Sequence, residues 1–309
     1  MRKVREALLA YGMLAPALVL FLGFTAFPVV FGIIISLYNW RIFPRDFIGL
    51  DNYTRALQPG SEMWNALGVT VSYALLSVPV QLGIALVLAY LLFQKIRGKT
   101  FFRMALFLPY ITSTVASAAV WARLYSPDIG LINQLLRGIG VQQLGWLTED
   151  KGILTLIAQG LGVQLPAGVT GPSLALVSVI IYTTWVFVGY DMTIFMAGLG
   201  NIPGELYEAA KIDGAGGWKL FRHITLPLLS PTTFFLSLIT IIGTFKAFNH
   251  IWVMTQGVNG TTTASVLIYR QMYESQRAGY ASALAFLLFT AILIITIVQN
   301  RVAGQRVNY

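Results

Sequence analysis

Cysteine is absent from the sequence, and histidine occurs only twice, as His223 and His250. The first absence removes disulfide frameworks and thiolate metal ligation, and the second leaves too few imidazoles for a zinc or di-iron site. No metal centre and no cofactor is expected. Charge is also scarce: 11% of the 309 residues are charged, whereas 56% are hydrophobic and mean hydropathy reaches +0.71. That balance lies outside ordinary water-soluble domains. The net charge of +9 does not point to nucleic acid. The basic residues sit between apolar runs of membrane length, not in one stripe with stacking aromatics.

A bilayer core of roughly 30 Å needs about 20 apolar helical residues. Five uncharged runs meet that length directly: Ala7 to Trp40, Met63 to Gln94, Met104 to Ala122, His223 to Phe245 and Ala278 to Asn300. A sixth, Gly152 to Tyr190, is interrupted by Pro166, Gly168, Gly171 and Pro172, which leaves one span from Leu174 to Leu199. Its upstream piece, Gly152 to Leu165, is too short to cross and reads as a surface or re-entrant segment. The expected fold is therefore an all-α polytopic membrane protein, one transmembrane domain over 1–309. Its six spans lie at about 8–37, 65–93, 104–124, 174–199, 228–249 and 280–300. The first run follows Arg2, Lys3 and Arg5 but far exceeds a signal-peptide apolar region, so it reads as a retained helix.

Lys and Arg set the orientation. With the N-terminus inside, the inner segments carry twelve basic residues, four of them between Lys95 and Arg103. The longer outer loops carry eight: Arg41, Arg45, Arg55, Arg123, Arg137, Lys151, Arg270 and Arg277. Basic density thus places both termini on the cytoplasmic side. Pro16, Pro28, Pro79 and Pro109 fall within spans, where neighbouring helices or water must satisfy the freed carbonyls.

The inner loop 201–227, between spans four and five, is ordered by its own sequence. Pro203 suits a helix start, Glu205 and Glu208 complement the positive dipole end, and Leu206, Ala209 and Ala210 form a small apolar face. Gly214 supplies a left-handed stop. A second piece puts Trp218, Phe221 and Ile224 on one side until Pro227 ends it. No complete P-loop exists: Gly98, Lys99 and Thr100 imitate the end of one, but Phe93 stands where its first glycine belongs.

Glu208, Ala209, Ala210, Gly214, Ile224, Leu226 and Pro227 resemble, with every spacing kept, the EAA motif of membrane subunits in binding-protein-dependent ABC importers. Phe47 to Tyr53 (FIGLDNY) and Phe101 to Leu135, with Trp121, Pro127, Gly130 and Asn133, resemble the sugar-type branch that includes the maltose and glycerol-3-phosphate systems. One departure is the outer turn after span five, Thr255 to Asn259, where such proteins often show a TGGGP-like sequence. The resemblance implies a permease subunit, not an enzyme, of a bacterial or archaeal cytoplasmic (inner) membrane. It would move a sugar or polyol-like solute by alternating access. It also implies a second homologous permease, two ATPase (nucleotide-binding) subunits and an extracytoplasmic solute-binding protein as partners. Glu208 to Gly214, with Asp213, would form the coupling helix seated in an ATPase cleft.

Asp191 and Lys246 are charges within apolar runs, which ordinarily face a cavity or pair with each other. Trp185, Tyr190, Asp191, Thr244, Lys246 and Asn249 are the candidates for contacting substrate. An Asp191–Lys246 ion pair joining two helices is the alternative role for those two. The competing function is an ion-coupled secondary transporter or channel that uses them as a relay and needs no ATPase.

Overall fold

The computed structural model describes residues 2–94, 96–164, 166 and 169–303. Lys95, Leu165, Gly168 and the tail with Arg306 lie outside the described residues. The fold is all-helical: among the described residues, extended pairing is limited to two isolated bridges, Tyr38 with Phe47 and Gly152 with Ser173. The chain packs as two compact units, one formed by 1–64 with 267–290 and the other by 65–266 with 291–309.

In chain order the helices begin with α1 (Arg2–Phe21), a π turn Leu22–Ala26, α2 (Phe27–Ser36), α3 (Asp51–Leu57) and α4 (Glu62–Phe93). Then come α5 (Lys99–Ile111), α6 (Thr114–Leu124), α7 (Leu131–Gly138), α8 (Ile153–Gly160) and α9 (Leu174–Gly200). The loop region holds α10 (Gly204–Ile212), α11 (Gly217–Leu220), a π turn Phe221–Thr225 and α12 (Leu226–Leu228). The chain continues with α13 (Ser230–Phe245), α14 (Asn249–Thr255), α15 (Ala264–Tyr269), a π turn Arg270–Glu274 and α16 (Ala278–Ala303).

Among the described residues, four helical stretches are long and apolar enough to cross a bilayer alone: Tyr11–Ser36, Glu62–Phe93, Leu174–Gly200 and Ala278–Val302. Two bent pairs, α5 with α6 at 98° and Gly217–Leu228 with α13 at 63°, bring the number to six where each pair is one span. The region upstream of α9 adds no span, because α8 has eight residues, about 12 Å of helix. Ile153 N donates to Pro172 O (2.8 Å) and Leu174 N to Lys151 O (3.1 Å), closing this segment at the foot of α9.

Unit one shows why the FIGLDNY stretch has its composition. Buried Asn52 donates from Nδ2 to the carbonyls of Ser36 (2.8 Å) and Tyr38 (3.1 Å), which α2 leaves without intrahelical partners at its end. Tyr53 Oη lies 2.8 Å from Ser36 Oγ, and Phe47 meets Tyr38 edge to face at 5.2 Å. The π turn before α2 precedes Pro28, whose missing N–H and ring interrupt the regular ladder.

Unit two is organised around α9, whose most apolar stretch is 72% buried. Tyr73, Tyr182, Val186 and Ile251 anchor one apolar cluster, and Met192, Phe195, Leu199 and Leu236 another. Helix α5 crosses α9 closely at Gly189, where an added Cβ would lie 1.9 Å from Leu106 O. Two expected spans are broken. The third, expected over 104–124, is divided where the extended Thr112 and the cap Ser113, whose Oγ accepts from Ala116 N, end α5 and start α6. The fifth, expected over 228–249, is divided too: α13 stops at Phe245 and α14 starts at Asn249.

Candidate functional site

Unit two holds a cavity of ≈ 340 Å³ lined by α4, α5, the first residue of α6, α9, α13, the break after α13 and the start of α14. Five of the six candidates line it: Tyr190, Asp191, Thr244, Lys246 and Asn249. Trp185 does not. It packs on Trp121 with ring centroids 5.3 Å apart and on Tyr182 at 6.3 Å, one helical face away from Tyr190 and Asp191. Of the six candidates for contacting substrate, it is the one the cavity does not include.

Asp191 is buried and accepts a 2.5 Å hydrogen bond from Gln81 Nε2 on α4. Lys246 is exposed to the cavity and makes no ion pair among the described residues, so the Asp191–Lys246 bridge does not form. Nor does Lys246 sit inside an apolar helix: it falls in the three-residue break, which turns its side chain loose from the helix wall. Thr244 instead satisfies its hydroxyl locally, donating to Thr240 O at 2.6 Å.

Several cavity residues were not singled out from sequence. Tyr110, from the last turn of α5, stacks on Tyr190 at 4.5 Å with ring planes 21° apart, and Phe187 lies edge-on to Tyr110 at 6.0 Å. Together they form an aromatic wall. Buried His250 joins Tyr73 and Thr183: its Nε2 lies 3.1 Å from Tyr73 Oη and 3.3 Å from Thr183 Oγ1, and those two hydroxyls are 2.7 Å apart. This network ties α14 to α4 and α9. The cavity thus offers flat aromatic faces beside a carboxylate, an amide and an ammonium, a set suited to a polyhydroxylated solute.

The 201–227 loop has the expected order. Glu208, Ala209 and Ala210 lie in α10, Asp213 is its C-cap, and Gly214 follows at φ +78°, a conformation that a Cβ disfavours. Ile224 lies in the π turn, and Leu226 and Pro227 in α12. Tyr207 Oη reaches Thr225 Oγ1 at 3.0 Å, and Phe221 meets Tyr90 of α4 at 4.9 Å. The loop is thereby braced to the same helix that carries Gln81. The most exposed of its large apolar side chains are Ile212 at 86% and Trp218 at 70%, the latter stacked on Phe221 at 5.6 Å.

The departing turn has a definite form. Gln256, Gly257, Asn259 and Gly260 all take positive φ, between 51° and 76°. Asn259 Nδ2 donates to Leu147 O at 2.9 Å, and Gly257 N to Thr255 Oγ1 at 3.1 Å. Of the two non-glycine residues in left-handed conformations, Asn259 is tied down by its own side-chain hydrogen bond.

Comparison with known proteins gives consistent results. Residues 61–307 match the family model described as binding-protein-dependent transport system inner membrane component. A probable ABC transporter permease protein of Pyrococcus horikoshii is 34% identical, over 92% of this chain and 91% of its own. The trehalose/maltose transport system permease protein of Thermococcus litoralis is 32% identical, over 98% and 96%. The crystal structure of a bacterial alginate ABC transporter in complex with an alginate pentasaccharide-bound periplasmic protein contains a chain that superposes with a TM-score of 0.81. That match covers 98% of this chain and 96% of the other, at 23% identity, a likeness of fold.

Proposed function

The chain belongs to the family of binding-protein-dependent transport system inner membrane components, and from that premise we propose that it is the six-span permease subunit of an ATP-driven sugar importer. Both termini face the cytoplasm, and the membrane is the cytoplasmic one. The reading pairs the chain with a second permease, two ATPase subunits that perform the hydrolysis, and an extracytoplasmic solute-binding protein. The observation that carries it is the family match from 61 to 307, which takes in both the cavity and the 201–227 loop. Relatives named for trehalose/maltose and for lactose support a sugar as cargo. Aromatic faces at Tyr110, Phe187 and Tyr190 suit the apolar faces of a pyranose, while Asp191, Lys246 and Asn249 suit its hydroxyls.

Coupling follows from the bracing of the loop. Helix α10, with Glu208 exposed and Ile212 projecting, seats in a cleft of the ATPase together with the exposed Trp218 of α11. Nucleotide-driven closure of that partner pushes on α10, and a rigid helix passes the displacement on where a flexible loop would absorb it. The contact of Phe221 with Tyr90 delivers it to α4, and Gln81 on α4 bears on Asp191 in the cavity. Alternating access then exposes the cavity to one membrane face at a time. Family membership and the absence of an Asp191–Lys246 pair among the described residues both weigh against the ion-relay alternative.

The test is capture of ATPase subunits from the same organism by the intact chain in membranes, with Glu208→Lys and Gly214→Pro as variants. Proline cannot adopt the φ of +78° at Gly214. Capture by the wild type and its loss in both variants, with insertion unchanged, supports the reading. Capture that ignores both variants, or no capture at all, removes it.

A further inference from the structure

Unit one contains a pocket of its own, of ≈ 80 Å³, that the transport reading does not use. Three cations line it: Arg41 from the segment after α2, Arg55 from α3 and Arg277 just before α16. Among the described residues no acidic oxygen lies within 4.0 Å of any of the three. Glu62, a carboxylate of the same unit, accepts a 3.1 Å hydrogen bond from Gln271. The Arg55 guanidinium carbon lies over the Tyr280 ring, 5.0 Å from its centroid, a cation–π contact that holds the charge at the pocket without using its N–H donors on an acceptor atom.

The framework is rigid. Gly279 N donates to Trp40 O at 2.9 Å, and an added Cβ on Gly279 would lie 2.2 Å from Tyr38 O. Asn52 ties α3 to the same strip through Tyr38 O. Three segments that each carry one arginine are thus locked together, and three like charges lining one small pocket call for a counter-ion. The space admits one small oxyanion and excludes a sugar ring.

Depth identifies the anion. The stretch Tyr11–Ser36 is about 39 Å long at 1.5 Å per residue, and only 6% of its most apolar window is buried within the protein, so it faces lipid. The pocket begins two residues beyond Ser36 and closes on the first residues of α16. Tyr38 and Trp40, with exposed Phe43 and Phe47, form an aromatic belt of the kind found where hydrocarbon meets headgroups. Phosphate is the oxyanion present at that level. We propose that the Arg41, Arg55 and Arg277 pocket binds the phosphate of an anionic phospholipid. The site requires only that unit one is embedded in a bilayer; its assignment to the outer leaflet rests on the orientation given under Proposed function.

The experiment titrates the purified full chain with phosphatidylglycerol, and with phosphatidylcholine as the zwitterionic control, and counts retained lipid by native mass spectrometry. Wild type should retain phosphatidylglycerol preferentially. R41Q/R55Q/R277Q should lower that affinity about a hundredfold, with phosphatidylcholine unaffected, and R41K/R55K/R277K should restore most of it. Should the triple Gln variant fail to fold, R41Q alone carries the test, with a loss of roughly fivefold. Retention that ignores the arginines overturns the proposal. Displacement of phosphatidylglycerol by millimolar inorganic phosphate, with equal thermal protection by the free ion, replaces the lipid with a soluble anion and also overturns it. So does a triple Gln variant that keeps its lipid but loses capture of a solute-binding protein, which would assign the pocket to a protein carboxylate. Failure of ATPase capture leaves the lipid result standing, so the two readings fail separately.

Discussion

Gln81 and Asp191, 110 residues apart, meet at 2.5 Å between α4 and α9, and both are buried at the edge of the cavity. The amide supplies the partner that keeps a carboxyl at this depth satisfied. Gln81→Leu removes the donor and leaves the buried oxygen orphaned, at a cost of about 1–3 kcal/mol. Asp191→Asn keeps an acceptor for Gln81 Nε2 and should cost less. Thermal loss of the monodisperse peak of detergent-solubilised protein ranks the two; equal midpoints for Gln81→Leu and wild type would show that the bond contributes nothing.

Lys246 offers the complementary case, since its ammonium has no ion-pair partner among the described residues to lose. Lys246→Met should leave stability within about 0.5 kcal/mol of wild type. If the ammonium binds a cargo hydroxyl, apparent transport affinity falls roughly tenfold or more, the worth of one charge-assisted hydrogen bond. Uptake of labelled sugar in vesicles reads the effect, and unchanged uptake places Lys246 off the route.

Gly189 tests the packing that frames the cavity. A methyl group there meets Leu106 O at 1.9 Å, backbone against side chain, so α5 must move away from α9. Gly189→Ala should destabilise by about 3 kcal/mol or more. Gly83, also within a span but with nothing within 4 Å of its added Cβ, is the control. Its alanine variant should be neutral or gain about 0.5–1 kcal/mol from helix propensity. Equal yields of folded protein from both variants would argue against the close crossing.

The long apolar stretches were legible because a helix in lipid must satisfy its own backbone, which forces uninterrupted apolar runs into the sequence. The α10 stop was legible too, since Gly214 is a local signal. Breaks were not. The bend between α5 and α6 comes three residues after Pro109, where Ser113 caps a new helix inside a run that hydropathy alone treats as continuous. Lys246 marks the end of an apolar run, yet nothing local says that the helix itself ends one residue earlier. Cavity neighbours were harder still. Tyr110 finds Tyr190, and Gln81 finds Asp191, only through the crossing of α4 and α5 with α9, and no spacing along the chain encodes that. That Trp185 stays outside the cavity has a related cause: its neighbour in sequence, Tyr182, faces Trp121, and the cavity begins on the face that carries Phe187 and Tyr190.

Asn133 gives the last prediction. The sequence pattern marked it only as part of the Trp121 to Asn133 resemblance, and the structure shows what it does. Fully buried in α7, it donates from Nδ2 to Pro127 O (3.1 Å) and Leu144 O (2.9 Å). Its Oδ1 accepts from Leu144 N (3.2 Å) and Trp146 Nε1 (3.0 Å). One amide therefore closes the loop from Pro127 to Trp146 and seats Trp146 against Tyr125, 5.4 Å between centroids. Asn133→Ala removes all four bonds and strands two donors and two acceptors in an apolar setting, which should cost about 2–4 kcal/mol. Asn133→Asp keeps both acceptor interactions and loses the two donations, so it should fall between alanine and wild type. Because α7 and the loop lie between α6 and α9, the loss should be local: limited proteolysis should cut between Ile139 and Asp150 in the alanine variant, while ATPase capture through α10 persists. Resistance to cleavage equal to wild type would mean that packing around Trp146 holds the loop without the amide.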